Sequence, residues 1–140
     1  LRYWDASALV PLVVAEEATA RVRQWLKEDS VVVTWSWTRV ELASAVERRV
    51  RYGEMTREQR RLTLDRFQEL AADWHEVEDL LPVRNRALAL LARHPLRAAD
   101  AAQLGAALLV AEDHPGSLAF VCLDERLALA AEKEGLWVVA

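Results

Sequence analysis

The stretch from Leu118 to Val139 constrains the fold most. Leu118-Ala-Phe-Val-Cys-Leu123 and Leu136-Trp-Val-Val139 are short apolar runs of strand length. Between them Glu125 to Glu134 has helical character, and Gly135 stands where a helix takes its C′ residue. Two strands joined by a helix lie parallel, with a right-handed crossover. Runs with no polar alternation belong to strands covered on both faces. This βαβ unit therefore requires a sheet with helices above and below it.

The rest of the chain repeats the pattern. Leu1-Arg-Tyr-Trp4 predicts a first strand, followed by a helix with Ser7 as its N-cap and Pro11 in its first turn. Glu16 to Lys27 predicts an amphipathic helix, with Ala18, Val22, Trp25 and Leu26 on one side. Val31-Val-Val-Thr-Trp35 is β-branched and reads as a buried strand, and the period turns helical from Ser36 to Tyr52. Gly53 breaks it, and Thr56-Arg-Glu-Gln59 fits a capping box that opens a helix ending near Asp73. Trp74 to Val77 predicts a short strand. Helices follow from Pro82 to Arg93 and from Arg97 to Ala111, the first stopped by His94-Pro95 and the second by His114-Pro-Gly116. The expected architecture is α/β: a three-layer α/β/α unit with a mainly parallel central sheet, one domain over residues 1–140.

At 140 residues a chain buries roughly 68–70% of its extended surface, enough for a core without staples. Hydrophobic residues make up 53% and charged ones 29%, a globular balance. The single cysteine, Cys122, has no internal partner, so a reduced, cytoplasmic chain is expected. No apolar run approaches the length of a membrane span, and charges at Arg2 and Asp5 argue against a secretory leader. Lys27 and Lys133 are the only lysines; the other 16 basic residues are arginine. Seven of these (48, 49, 51, 57, 60, 61, 66) face three acids between Arg48 and Arg66. That segment reads either as a phosphate-binding surface or as a solvated, ion-paired helical face, and the second is the simpler reading.

Open parallel sheets bind ligands beyond the carboxyl ends of their strands. Asp5 and Asp124 fall at such ends, while Glu41 and Asp100 fall in the opening turns of predicted helices. Taken singly, each acid has a structural explanation: N-caps for Asp5 and Asp124, a favourable helix-dipole position for Asp100, the rim of an apolar stripe for Glu41. Four carboxylates in one crevice need neutralising, since two charges ~4 Å apart repel by ~4 kcal/mol at an effective dielectric of 20. A hard divalent cation, Mg²⁺ or Mn²⁺, does this with carboxylate oxygens and water, and activates water toward a phosphodiester.

At these residues the chain resembles the PIN-domain ribonucleases, most of all the VapC toxins of VapBC toxin–antitoxin pairs. Trp4-Asp-Ala-Ser-Ala-Leu-Val10 is similar to the first family motif, and Arg39-Val-Glu-Leu-Ala-Ser-Ala45 to the second. Leu96-Arg-Ala-Ala-Asp-Ala-Ala-Gln-Leu104 is similar to the third, and Phe120-Val-Cys-Leu-Asp-Glu-Arg-Leu-Ala128 to the fourth. The resemblance implies that Asp5, Glu41, Asp100 and Asp124 form an acidic quartet binding one or two Mg²⁺ or Mn²⁺ ions, with Ser7 holding Asp5. It implies in-line hydrolysis of RNA by an activated water, leaving a 5′-phosphate and a 3′-hydroxyl. The implied substrates are structured transfer or ribosomal RNA; the implied partners are a VapB-like antitoxin and a second copy of the chain, with no membrane. Trp37 is a candidate for stacking on RNA, and Arg97 and Arg126 are candidates for phosphate contact or for structural pairing with acids.

Two positions depart from the family pattern. Gln103 stands where many members carry histidine, a change expected to matter little to metal binding, and Cys122 replaces threonine or serine and is expected to be a packed strand residue. Trp4, Trp35 and Trp137 fall in predicted strands and are expected in the core. His75, His94 and His114 have no metal-ligand spacing. A haloacid-dehalogenase-type phosphatase needs an acid at Ser7, and a nucleotide-binding loop needs clustered glycines that Gly53, Gly105, Gly116 and Gly135 do not form. The alternatives are a PIN-like module that binds RNA or protein without cutting, and a PIN nuclease outside any toxin–antitoxin pair.

Overall fold

A computed structural model of the chain describes residues 1–112 and 114–140. Its elements are β1 (Arg2–Trp4), α1 (Ala6–Val13), α2 (Thr19–Glu28), β2 (Val32–Trp35), α3 (Thr38–Arg51), α4 (Arg57–Ala71), β3 (His75–Val77), α5 (Leu80–Arg93), α6 (Ala98–Ala111), β4 (Ala119–Val121), α7 (Glu125–Lys133) and β5 (Trp137–Val139). A 3₁₀ turn at Pro115–Ser117 precedes β4. The five strands form one sheet in the order β3-β2-β1-β4-β5, every pair parallel.

From β1 the chain winds outward through β2 to β3, then returns to the other side of β1 for β4 and β5. The direction of winding reverses at β1, and a crevice opens there at the carboxyl ends of β1 and β4.

Alternation along the strands supplies two cores. Tyr3, Val33, Trp35 and Phe120 point to one face, where Val83 and Leu90 of α5, Leu104 and Leu108 of α6 and Leu127 of α7 cover them. Trp4, Val32 and Val121 point to the other, against Leu9 of α1, Val22 of α2, Leu42 of α3 and Phe67 of α4. Tyr3 stacks on Phe120 across the β1–β4 pair, ring centroids 5.5 Å apart. Gly105 lets α6 approach α5 closely: a Cβ there would stand 3.1 Å from the Val83 carbonyl oxygen and 3.3 Å from the Ala87 nitrogen.

Local signals hold with a few corrections. Thr56 and Gln59 form the reciprocal capping box of α4, and Gly135 takes φ +94° after α7. The N-cap of α1 is Asp5, not Ser7: Asp5 is extended and its carboxylate accepts the Ser7 N–H, so the helix starts two residues earlier than expected. Pro11 consequently lies in the second turn of α1, a helix too short for the missing donor to matter beyond its last turn. Trp137 is 66% exposed rather than in the core, because β5 is an edge strand with a neighbour on one side only. The arginine-rich segment is an ion-paired face in part: Arg49 meets Glu16, Arg60 meets Glu47, and Arg61 meets Glu58 and Asp65. Among the described residues, no helix is long and apolar enough to cross a membrane.

Candidate active site

Asp5 is the residue at which β1 ends. Its N–H continues the sheet ladder to the Val121 carbonyl (3.0 Å), and its side chain turns back to cap α1. Oδ2 accepts from the Ser7 backbone N–H (3.1 Å), the Ser7 hydroxyl (2.5 Å) and the Cys122 thiol (3.6 Å). The Ser7 oxygen also accepts from the Leu123 N–H (2.9 Å), so one hydroxyl ties α1, β1 and the segment after β4 together. Only 4% of Asp5 is exposed. Burial pushes its carboxyl up to about 6 against the opposing Ser7 hydrogen bonds, and the nearby Asp100 charge adds to the rise.

Glu41 lies in the first turn of α3 and accepts a hydrogen bond from the Gln103 amide. Burial raises it to about 7; the Gln103 bond opposes this, and the charges of Asp5 and Asp100 reinforce it. Asp100 occupies the first turn of α6 and is raised by burial and by Asp124, with Arg97 and Arg126 pulling the other way. Asp124 caps α7 through the Leu127 N–H (2.9 Å). Both explanations weighed for Asp5 and Asp124 therefore meet in one place, since a cap at a strand's carboxyl end also faces the crevice.

The mutual influence of these groups defines the site. Asp5 acts on Glu41, Asp100 acts on both, and Asp124 acts on Asp100. Asp5 and Asp124 follow the paired strands β1 and β4, and Asp100 shares a cleft with Asp124. Glu41 is bonded to Gln103, one turn along α6 from Asp100, so these acids follow one another in a row from α7 to α3. Arg97, Asp100, Asp124, Glu125 and Arg126 line an open cleft of about 560 Å³ at one end of the row. At the other end Glu41 borders an apolar cavity of about 410 Å³ walled by Trp35, Trp37, Leu80, Ala98, Ala99 and Ala102. Trp37 is 60% exposed at its mouth. The Arg97 Nε stands 3.7 Å from Asp100 Oδ2, an exposed and weak pair that leaves the guanidinium free to meet a phosphate.

Carboxylate oxygens are the donors a hard divalent cation prefers, and the carboxyls of Asp5, Glu41 and Asp100, raised first by burial and then by neighbouring acids, are groups whose charge such an ion would stabilise. By donor chemistry the residues fit Mg²⁺ or Mn²⁺. Among the described residues, however, no group of three or more His, Cys, Asp or Glu side chains is arranged to hold an ion as it stands.

Cys122 is fully buried beside Asp5, and burial together with that charge raises its thiol, so it is a packing residue rather than a nucleophile. Arg39, inside the second motif, pairs with Glu76 and donates to the Ala71 carbonyl, a structural duty. Gln103, expected from the sequence to matter little, joins Thr38, Thr34 and Tyr3, which the sequence did not single out, in a buried polar chain reaching Glu41. A signal was present: Thr38 and Glu41, like Asp100 and Gln103, are three residues apart on a helix and share a face.

The sequence matches the PIN domain family over residues 2–133. The chain belongs to the PIN-domain family. PIN domains are generally nucleases, and many use divalent metals such as Mg²⁺. Among solved structures, this PIN domain is similar to PAE2754 from Pyrobaculum aerophilum, with a TM-score of 0.68 and 21% identity over 99% of this chain and 90% of that one. At that identity the likeness concerns the fold. No curated protein matches the sequence.

Proposed function

We propose that this PIN domain is a metal-dependent endoribonuclease, the toxin of a type II toxin–antitoxin pair acting in the cytoplasm on structured transfer or ribosomal RNA. The observation that carries the reading is geometric: Asp5 and Asp124 follow the paired strands β1 and β4 at the switch point, Asp100 lines the same cleft as Asp124, and Glu41 is bonded to Gln103 one turn along α6 from Asp100. These four residues would hold one or two Mg²⁺ or Mn²⁺ ions. When bound, the ion supplies charge neutralisation at a phosphate and acidifies water for attack. Ser7 keeps the Asp5 carboxylate from rotating. Arg97 and Arg126 meet the phosphate backbone at the rim of the cleft, where an anion would otherwise be repelled by the acids. Trp37 offers an exposed aromatic face for base stacking beside Glu41.

The antitoxin and a second copy of the chain are the expected partners. Exposed Trp37 and Leu80 at the cavity beside Glu41 support this, together with Val40 on α3 and Leu81, Leu88 and Leu91 on α5, large apolar side chains that stand without cover. A binding module that does not cut is favoured by one observation, the absence among the described residues of a ready-made ligand cage.

Cleavage of total cellular RNA by the purified protein tests the proposal, run with Mn²⁺, Mg²⁺ or EDTA and alongside Asp5→Ala. Discrete fragments that require metal and vanish in the variant are expected. Silence across several RNA pools from antitoxin-free protein would favour the binding module. If expression of the chain arrests growth, rescue by co-expression of a small reading frame found beside its gene separates a toxin from a PIN nuclease outside such a pair.

A further inference from the structure

Gln103 is 0% exposed on α6, and its whole amide is engaged. Oε1 accepts from the Tyr3 hydroxyl (2.7 Å), while Nε2 donates to Thr38 Oγ1 (2.9 Å) and to a Glu41 carboxylate oxygen. Thr38 Oγ1 lies 2.7 Å from Thr34 Oγ1, and the Thr34 hydroxyl donates to the main-chain carbonyl of Trp4 (2.8 Å).

Counting protons gives this chain a direction. A hydroxyl has one proton to donate, and that of Thr34 goes to Trp4. The proton between the two threonines therefore comes from Thr38, which must then accept from Gln103. The amide can serve it only with nitrogen toward Thr38 and oxygen toward Tyr3. The opposite flip would leave one of these contacts without a proton and turn an amide oxygen toward the Glu41 carboxylate. Every donor is used once, and the remaining N–H is aimed at Glu41.

We infer that Gln103 is a positioning residue for Glu41: its amide donates both to the Glu41 carboxylate on α3 and into a hydrogen-bond chain that runs through Thr38 and Thr34 to the carbonyl of Trp4, the residue from which Asp5 follows. Two acids on separate elements are thereby held in a common frame. One carboxylate oxygen of Glu41 is fixed on the amide, and the other is left for the acidic row. The consequence for catalysis rests on the metal-nuclease reading; the positioning itself does not.

The test uses the full chain and two kinds of readout. Without metal, the side-chain amide of Gln103 is followed by ¹⁵N NMR. Its two protons are expected to be exchange-protected, one shifting in Glu41→Ala and the other in Thr38→Val. With metal, Mn²⁺ affinity by calorimetry and RNA-cleavage kinetics are compared for wild type and Gln103→Met. Loss of about 10–100-fold in Mn²⁺ affinity is expected, as for other groups that orient metal ligands. The kcat should fall at least about tenfold and KM for RNA should change little, a split that general destabilisation would not produce.

A folded Gln103→Met with wild-type Mn²⁺ affinity and kcat overturns the inference. So does an amide indifferent to Glu41→Ala. Should Gln103→Met not fold, Thr38→Val and Thr38→Ser decide: loss in the first with recovery in the second supports positioning, and equal behaviour overturns it. If wild type neither binds Mn²⁺ nor cuts RNA while both amide shifts occur, the nuclease reading falls and the positioning of Glu41 stands.

Discussion

Asp5 caps α1 and faces the crevice with the same carboxylate, and its burial has a measurable cost. Its folded pKa of about 6, and that of Glu41 at about 7, lie above the values of an unfolded chain. Between those limits the folded state binds more protons than the unfolded one. The stabilising contribution is complete below about pH 4 and is lost as pH rises through the folded pKa values. Metal-free protein should therefore lose stability from about pH 4.5 to 7.5, on the order of 2–3 kcal/mol from Asp5 alone. Asp29, Glu47 and Glu134 are lowered instead, so their contributions disappear only at more acid pH. Urea midpoints across this range check the sign; a rise in stability toward neutrality would contradict it. Asp100→Asn removes one repelling charge and should leave the metal-free protein as stable or more so, while abolishing the stabilisation by Mn²⁺. Equal rises in melting temperature for wild type and variant would place the ion elsewhere.

At the scale of elements, α6 carries the most demanding placement. It delivers Asp100 and Gln103 to the site from its first two turns and rests on α5 at Gly105, where backbone atoms leave no room for a branched side chain. Gly105→Val should push the helices apart and cost about 1–3 kcal/mol, the usual range for overpacking. Because the displaced helix holds Gln103, the side-chain contact to Glu41 should weaken together with the fold. Differential scanning calorimetry should show the lowered melting temperature, and a variant as stable as wild type would mean that α5 can yield. The capping box of α4 and the Gly135 ending of α7 are local matters by comparison, since each is satisfied by residues within the same turn.

For the whole molecule, the decisive fact is that both cores share β1. Tyr3 belongs to one and Trp4 to the other, so neither face of the sheet can be stripped without exposing a fully buried aromatic of the central strand. Unfolding should accordingly be a single cooperative transition, with far-UV circular dichroism and tryptophan fluorescence superimposing in urea. Two separated transitions would show that the α1–α4 and α5–α7 layers are independent units. Charge at this scale is modest: the net is −4, three arginines of the basic helical face are paired with acids, and Arg97 and Arg126 stand in the cleft with Asp100 and Asp124.

The sequence by itself determined the order of elements and the parallel pairing, and it marked four acids as candidates. Each of these is written locally, in apolar runs of strand length, in Gly135 and the Thr56–Gln59 box, and in carboxylates placed after strands or in the opening turns of helices. Tertiary structure alone decided the rest. The strand order that makes β1 the reversal point depends on long-range pairing, which no local pattern encodes. Trp137 looked like a core residue because a strand's composition does not say whether it lies at the edge. Ser7 could be expected near Asp5, yet its second bond to the Leu123 N–H joins residues 116 positions apart. Gln103 was legible as a departure from a pattern but not as a partner of Glu41, Tyr3 and Thr38. Those contacts exist only where α3, α6 and β1 converge, and a buried amide takes its meaning from the groups that satisfy it.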